Sequence, residues 1–204
     1  MTVLERRKIK PDKQAEPAWD IASLFPAQGH WAVEDYLNLD TNHLVEFSQG
    51  IVEVLPMPSD KHQAIVGYLF SLLLALAQRL GGSARIAPLR MQLWEGKIRE
   101  PDLLFLASAQ DPRRQDAMWM GADLVMEVIS PDDPNRDLVK KRFEYAQAGI
   151  PEYWIIDPRS ELILVLQLDG DRYAEHGRFE RGQTATSVTY PEFQVNVSDV
   201  LDAN

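Results

Sequence analysis

The stretch from Leu124 to Pro158 constrains the fold more than any other. It places two short apolar runs, Leu124–Ile129 and Tyr153–Ile156, on either side of a polar segment of helical composition. Runs of that length suit strands buried on both faces, as in parallel sheets. The segment between them has the length of a crossover helix, ended by Gly149 and Pro151. A β-α-β unit with a right-handed connection is expected.

Glu127 breaks the first run. A carboxylate in a strand buried on both faces is costly unless it is paired, protonated or bound to a metal. Side chains alternate along a strand, so Glu127 shares a face with Val125 and Ile129, opposite Met126 and Val128. Taken alone, such an acid is more often the structural partner of an arginine. Asp102 changes the weighing, because it heads a second apolar run, Pro101–Leu106. Two acids on neighbouring central strands repel each other, and a divalent cation between them relieves the repulsion.

The absence of cysteine excludes disulfides and thiolate-bound zinc. A net charge of −10 argues against tight non-specific binding to nucleic acid, but not against an enzyme whose site attracts phosphate through bound metal. With 204 residues, 45% of them hydrophobic, one domain over residues 19–204 is expected. Residues 1–18, with five basic side chains against three acidic, read as a flexible arm. No apolar signal segment follows its basic residues, and the longest apolar segment, Ala64–Ala77, is shorter than the roughly 20 residues of a membrane span. A cytoplasmic protein without membrane contact is expected.

Along the chain, Trp31–Leu39 predicts a short helix, and Leu44–Leu55 predicts a hairpin around Gly50. A long helix starts at Ser59, which can cap it, and ends at Gly81-Gly82. Ile65, Val66, Leu69, Leu73, Leu76 and Leu80 fall on one stripe of it, with His62 on the same face. A histidine there is more often a hydrogen-bonded core residue than a ligand. Two strands are expected within Ala84–Trp94, broken at Pro88, then the Pro101–Leu106 strand and a loop carrying Arg113-Arg114. Leu162–Leu168 and Arg172–Ala174, joined by Asp169-Gly170, predict an antiparallel C-terminal extension.

At 100° per residue, the crossover helix puts Leu138, Val139, Phe143, Tyr145, Ala146 and Ala148 on a broad apolar face. Arg136, Lys140, Glu144 and Gln147 lie opposite. Lys141 falls at the edge of the apolar face and Arg142 within it, so both lean towards the sheet that holds the acids, while Lys140 faces water. A pair of snorkelling surface cations is the plainer alternative.

These residues resemble the Uma family of restriction-endonuclease-like proteins, within the PD-(D/E)XK nuclease superfamily. The matching pieces are Pro101-Asp102, Glu127-Val128-Ile129-Ser130-Pro131, Arg136-Asp137, Lys141 four residues before Tyr145, Gly149-Ile150 and Glu152–Pro158. Glu46 in the hairpin and His62 at the head of the long helix also match. The resemblance implies an α/β (α+β) restriction-endonuclease-like core over about residues 44–158. Its order is helix, three strands, helix, strand, with a mixed central sheet flanked by helices. It also implies an Mg²⁺-dependent DNA endonuclease, with Mn²⁺ as a substitute, DNA as partner and a homodimer as one admissible assembly. Asp102 and Glu127 would ligate the metal, with the Val128 carbonyl as a third ligand. Glu46 would be a further ligand and His62 a supporting partner. The chain departs from the superfamily pattern at Ile129, where a lysine is usual. Members of this type supply the lysine from the following helix, which would be Lys141. Loss of cleavage, leaving a nuclease-like binding or assembly module, is the alternative.

Overall fold

The computed structural model describes residues 25–41, 43–130 and 133–204; the expected arm and Pro131 lie outside them. A one-turn helix α1 (Val33–Leu37) precedes the hairpin of β1 (Val45–Ser48) and β2 (Ile51–Val54). Gln49 and Gly50 both adopt positive φ, the two-residue turn that matches strand twist. Helix α2 (Asp60–Leu80) begins where the Ser59 hydroxyl accepts the His62 N–H, and stops at Gly81 in the left-handed conformation. Its stripe is buried as expected through Leu76, but Leu80 in the last turn is exposed and Ala77 takes the inward place.

Strands β3 (Ser83–Ile86), β4 (Met91–Trp94), β5 (Lys97–Arg99), β6 (Leu103–Leu106) and β7 (Leu124–Val128) follow. The crossover helix α3 opens with a π-helical turn, Arg136–Lys141, and continues as α-helix over Arg142–Gln147. Then come β8 (Glu152–Asp157), β9 (Leu162–Asp169), β10 (Arg172–Glu180), β11 (Thr184–Thr186), β12 (Gln194–Asn196) and a C-terminal helix α4 (Val197–Asp202).

The central sheet is mixed, in the order β10-β9-β8-β7-β6-β3, and only β7 and β8 run parallel. Both are buried along their whole length, which explains why they are apolar but for Glu127 in β7 and the end residues Glu152 and Asp157 of β8. The alternation at Glu127 holds: Val125 and Ile129 pack beneath α3, Met126 and Val128 beneath α2. A second sheet, β2-β1-β5-β4, has its own small core of Tyr36, Val45, Phe47, Val52 and Ile98. Pro88 therefore separates strands of two different sheets. The C-terminal hairpin of β11 and β12 is tied to the central sheet by Glu152. This fully buried carboxylate accepts the Trp154 indole N–H, the Ser187 hydroxyl and the Thr189 N–H.

The architecture is the mixed α/β one expected, with two differences in detail. Strand β5, β11, β12 and α4 were not foreseen, and β10 extends well past Ala174. The apolar face of α3 also differs: Val139 and Phe143 are 62% and 61% exposed, while Arg136 and Glu144 point inward. Buried charges draw the charged residues of α3 inward, Glu46 and Glu127 taking Arg136 and Lys141, and Arg99 and Lys97 taking Glu144, because an unpaired buried charge costs more than two exposed apolar side chains.

Candidate functional site

The β6–β7 register pairs Leu103 with Met126, which sets Asp102, just before β6, across from Glu127. Asp102 Oδ2 accepts the Val128 N–H at 2.8 Å and lies 3.1 Å from His62 Nε2. The Asp102 N–H approaches Glu127 Oε2 at 3.4 Å. Glu127 is 2% exposed, and its Oε1 accepts the Tyr145 hydroxyl at 2.6 Å and meets Lys141 Nζ at 2.9 Å. Burial holds the Glu127 carboxyl above the usual carboxylate range; Lys141 opposes that shift and Asp102 adds to it.

Lys141 comes from the last position of the π turn. Its ammonium lies 3.1 Å from Asp137 Oδ1 and 3.9 Å from Glu46 Oε1 as well as against Glu127. Burial would lower its pKa, but Glu127, Asp137, Glu46 and Asp102 together hold it above the ordinary lysine range. Lys140 projects outward, half-exposed, and among the described residues reaches only Glu53, at 3.5 Å. Arg142 turns away from the acids and donates to the Tyr173 carbonyl at 3.3 Å.

Glu46 sits at the centre of a second cluster. Arg99 and Arg136 both bond its Oε2, and the Glu100 N–H reaches Oε1 at 3.3 Å. Although burial alone would raise its pKa, Lys141, Arg99 and Arg136 bring Glu46 down to about 2. Arg99 also grips Glu144 on α3, and Lys97 meets the same carboxylate at 2.7 Å. The cluster bolts the small sheet to α3 on both sides of Lys141.

His62 enters from the first turn of α2, where the Ser59 cap fixes the helix start. Its ring meets Asp102 through Nε2, while Nδ1 is buried without a partner among the described residues. Asp102 thus gathers residues from α2 and β7, and Glu127 gathers residues from α3. All five expected side chains, Asp102, Glu127, Lys141, Glu46 and His62, fall within two adjoining clusters. Arg113, by contrast, pairs with Asp111 and Asp123, and Arg114 donates to the Ala109 carbonyl.

Asp137, Arg99, Glu144 and Tyr145 also belong to these clusters and were not singled out as site residues. The one signal for Arg99 was a pair of cations, Lys97 and Arg99, alternating just ahead of Pro101-Asp102. Beside Asp102 and Glu127 opens a cleft of about 390 Å³ lined also by Lys141, Asp137 and Arg136, and by the segment Leu55–Pro58. Among the described residues no three histidine or acidic side chains form a ready-made metal cage.

The mixed sheet flanked by α2 and α3 is the frame of a nuclease-like domain. A crystal structure described as a "putative nuclease belonging to DUF820" from Anabaena variabilis ATCC 29413 has the same fold, with a TM-score of 0.71 and 20% identity over 84% of this chain and 97% of that one. No curated protein matches the chain. The Uma2 family, described as "Putative restriction endonuclease", matches residues 33–198, and the chain belongs to it.

Proposed function

We propose that this chain is a metal-dependent endonuclease that hydrolyses phosphodiester bonds in DNA, with Asp102, Glu127 and Lys141 as its working residues. The observation that carries the reading is their convergence on one cleft, with Lys141 Nζ 2.9 Å from Glu127 and Asp102 across the strand pair.

The donors suit Mg²⁺, with Mn²⁺ as a substitute, because all are hard oxygens. Asp102 spends Oδ2 on Val128 and His62, and Glu127 spends Oε1 on Lys141 and Tyr145. Oδ1 of the first and Oε2 of the second remain, the latter carrying only the long contact to the Asp102 N–H. The Val128 carbonyl faces the same side as its N–H, past the start of β6, and would add a third oxygen. Two carboxylates, one carbonyl and waters make an ordinary magnesium shell. Bound there, the ion would acidify a water and neutralise charge gathering on the phosphate.

The chain's own residues do the rest. Lys141, held protonated by the carboxylates around it, acts as a donor. It orients the attacking water and offsets negative charge while the new P–O bond forms and the bond to the departing sugar oxygen breaks. Tyr145 holds Glu127 in place and His62 holds Asp102. Glu46, its Oε2 taken up by Arg99 and Arg136 and its Oε1 by the Glu100 N–H, anchors Arg136 and lies near Lys141. With a net charge of −10, affinity for DNA depends on the metal and the cleft's own cations.

Supercoiled plasmid incubated with Mg²⁺, with Mn²⁺ and with EDTA tests the reading. Nicking is expected with either metal, and not with EDTA or in Lys141→Met. Metal-dependent DNA binding without cleavage would instead favour a binding module, the reading to which Ile129 and the acidic charge lean.

A further inference from the structure

One wall of the cleft is apolar, which a site for phosphate alone would not need. Leu44, Leu55, Pro56, Met57 and Pro58 line it, in the same cleft as the acids and Arg136. Met57 is 71% exposed, and Leu55 is fixed to Leu44 by a backbone hydrogen bond of 2.8 Å. The wall leads directly into α2, whose His62 touches Asp102. Two prolines in four residues set φ along it, so its shape exists before a ligand arrives.

We infer that this wall receives the face of an unpaired nucleobase, so that the substrate is a single strand or a strand with an unstacked nucleotide beside the scissile phosphate. The inference rests on the phosphodiester-cleavage reading above. A phosphate bound through a metal at Asp102 and Glu127 would share its cleft with Leu55 and Met57, which the adjoining nucleotide would meet. In a paired duplex the base faces are stacked inside the helix, and the backbone offers only sugar and phosphate to such a wall. An unstacked base offers a flat apolar face of matching chemistry. The cleft's volume of about 390 Å³ leaves room for a base together with its phosphate. Charge points the same way: at −10 overall, the chain lacks the broad basic surface with which proteins hold duplex backbone, and contact with bases supplies affinity that phosphate pairing does not.

The experiment compares one labelled sequence in three forms: single strand, perfect duplex, and duplex with one bulged nucleotide. Cleavage is followed in Mg²⁺ and binding in Ca²⁺. The single strand and the bulge are expected to be cut about ten-fold faster than the duplex, at the bulge in the latter case. Met57→Ser, at an exposed position that leaves folding intact, should raise Kd for the single strand several-fold and narrow the preference. Equal cutting of duplex and single strand, or an unchanged preference in Met57→Ser, overturns the inference and leaves the nuclease reading standing. Met57-dependent binding of single strand without any cleavage supports the base site and overturns the nuclease reading. Neither binding nor cleavage of any form overturns both.

Discussion

Arg99 has no exposed surface, and it holds Glu144 through two parallel bonds, Nε to Oε2 and Nη2 to Oε1, each 2.8 Å long. Paired this way, a guanidinium from the small sheet fixes α3 one turn beyond Lys141. Removing one partner strands a buried charge. Arg99→Met should therefore cost about 3–5 kcal/mol of stability, whereas the triple variant Arg99→Met/Glu144→Leu/Lys97→Met, which removes every charge paired on Glu144 and leaves Glu46 to Arg136, should cost clearly less. Urea unfolding of the three proteins decides it; a triple variant as unstable as the single would show that the paired charges themselves supply the stability.

Lys140 and Lys141 are sequence neighbours with opposite surroundings, one half-exposed and the other enclosed by carboxylates. Lys141→Met should lower plasmid nicking by roughly 10²–10⁴-fold, while Lys140→Ala leaves it nearly intact. Circular dichroism of both variants checks that folding is retained. Similar rates in the two would remove Lys141 from the reaction.

Glu46 ties stability to pH. Its folded pKa, about 2, lies below its ordinary 4.5. A depressed carboxyl contributes stability that is fully present above the unfolded value and is lost as pH falls through the folded one. The wild type should thus weaken between about pH 4.5 and 2. Glu46→Gln should be destabilised at pH 7, and the gap should close over that window. Urea midpoints at pH 7, 4, 3 and 2 follow it, and a gap independent of pH would count against the charge cluster as its source.

Asp102→Asn preserves shape while removing one of the two proposed ligand charges. Wild-type protein should melt higher in Mg²⁺ than in EDTA, by about 2.7 kcal/mol of stabilisation at 100 times Kd. The variant should lose most of that response. A response equal in both proteins would place the metal elsewhere.

Glu127, Asp102, the long helix and the parallel pair were legible because each departs from, or obeys, a simple periodicity. Glu127 stood out as one charge in an apolar run, and Lys141 was found by counting round a helix. The same counting failed at Val139, Phe143 and Glu144. It assumes that apolar side chains face inward, whereas here Glu46, Arg99 and Lys97 draw charge in from α3. Strand β5 was missed for the same reason: Lys97 and Arg99 are buried ions in a three-residue strand, and nothing local to Lys-Ile-Arg indicates carboxylates more than 40 residues away on β1 and α3.

The π turn at Arg136–Lys141 makes the placing of Arg136 against Glu46, and of Asp137 against Lys141, a matter of residue count. A turn closed five residues apart carries one residue more than an α-helical turn, and each residue of α-helix rotates the chain by about 100°. Deleting one residue between Asp137 and Lys141 would restore ordinary winding and turn Arg136 and Asp137 away from their present partners, with the anchored end of α3 unmoved. A lineage could switch such a site off, or on again, by a single-codon insertion or deletion that leaves every side chain of the cleft chemically unchanged.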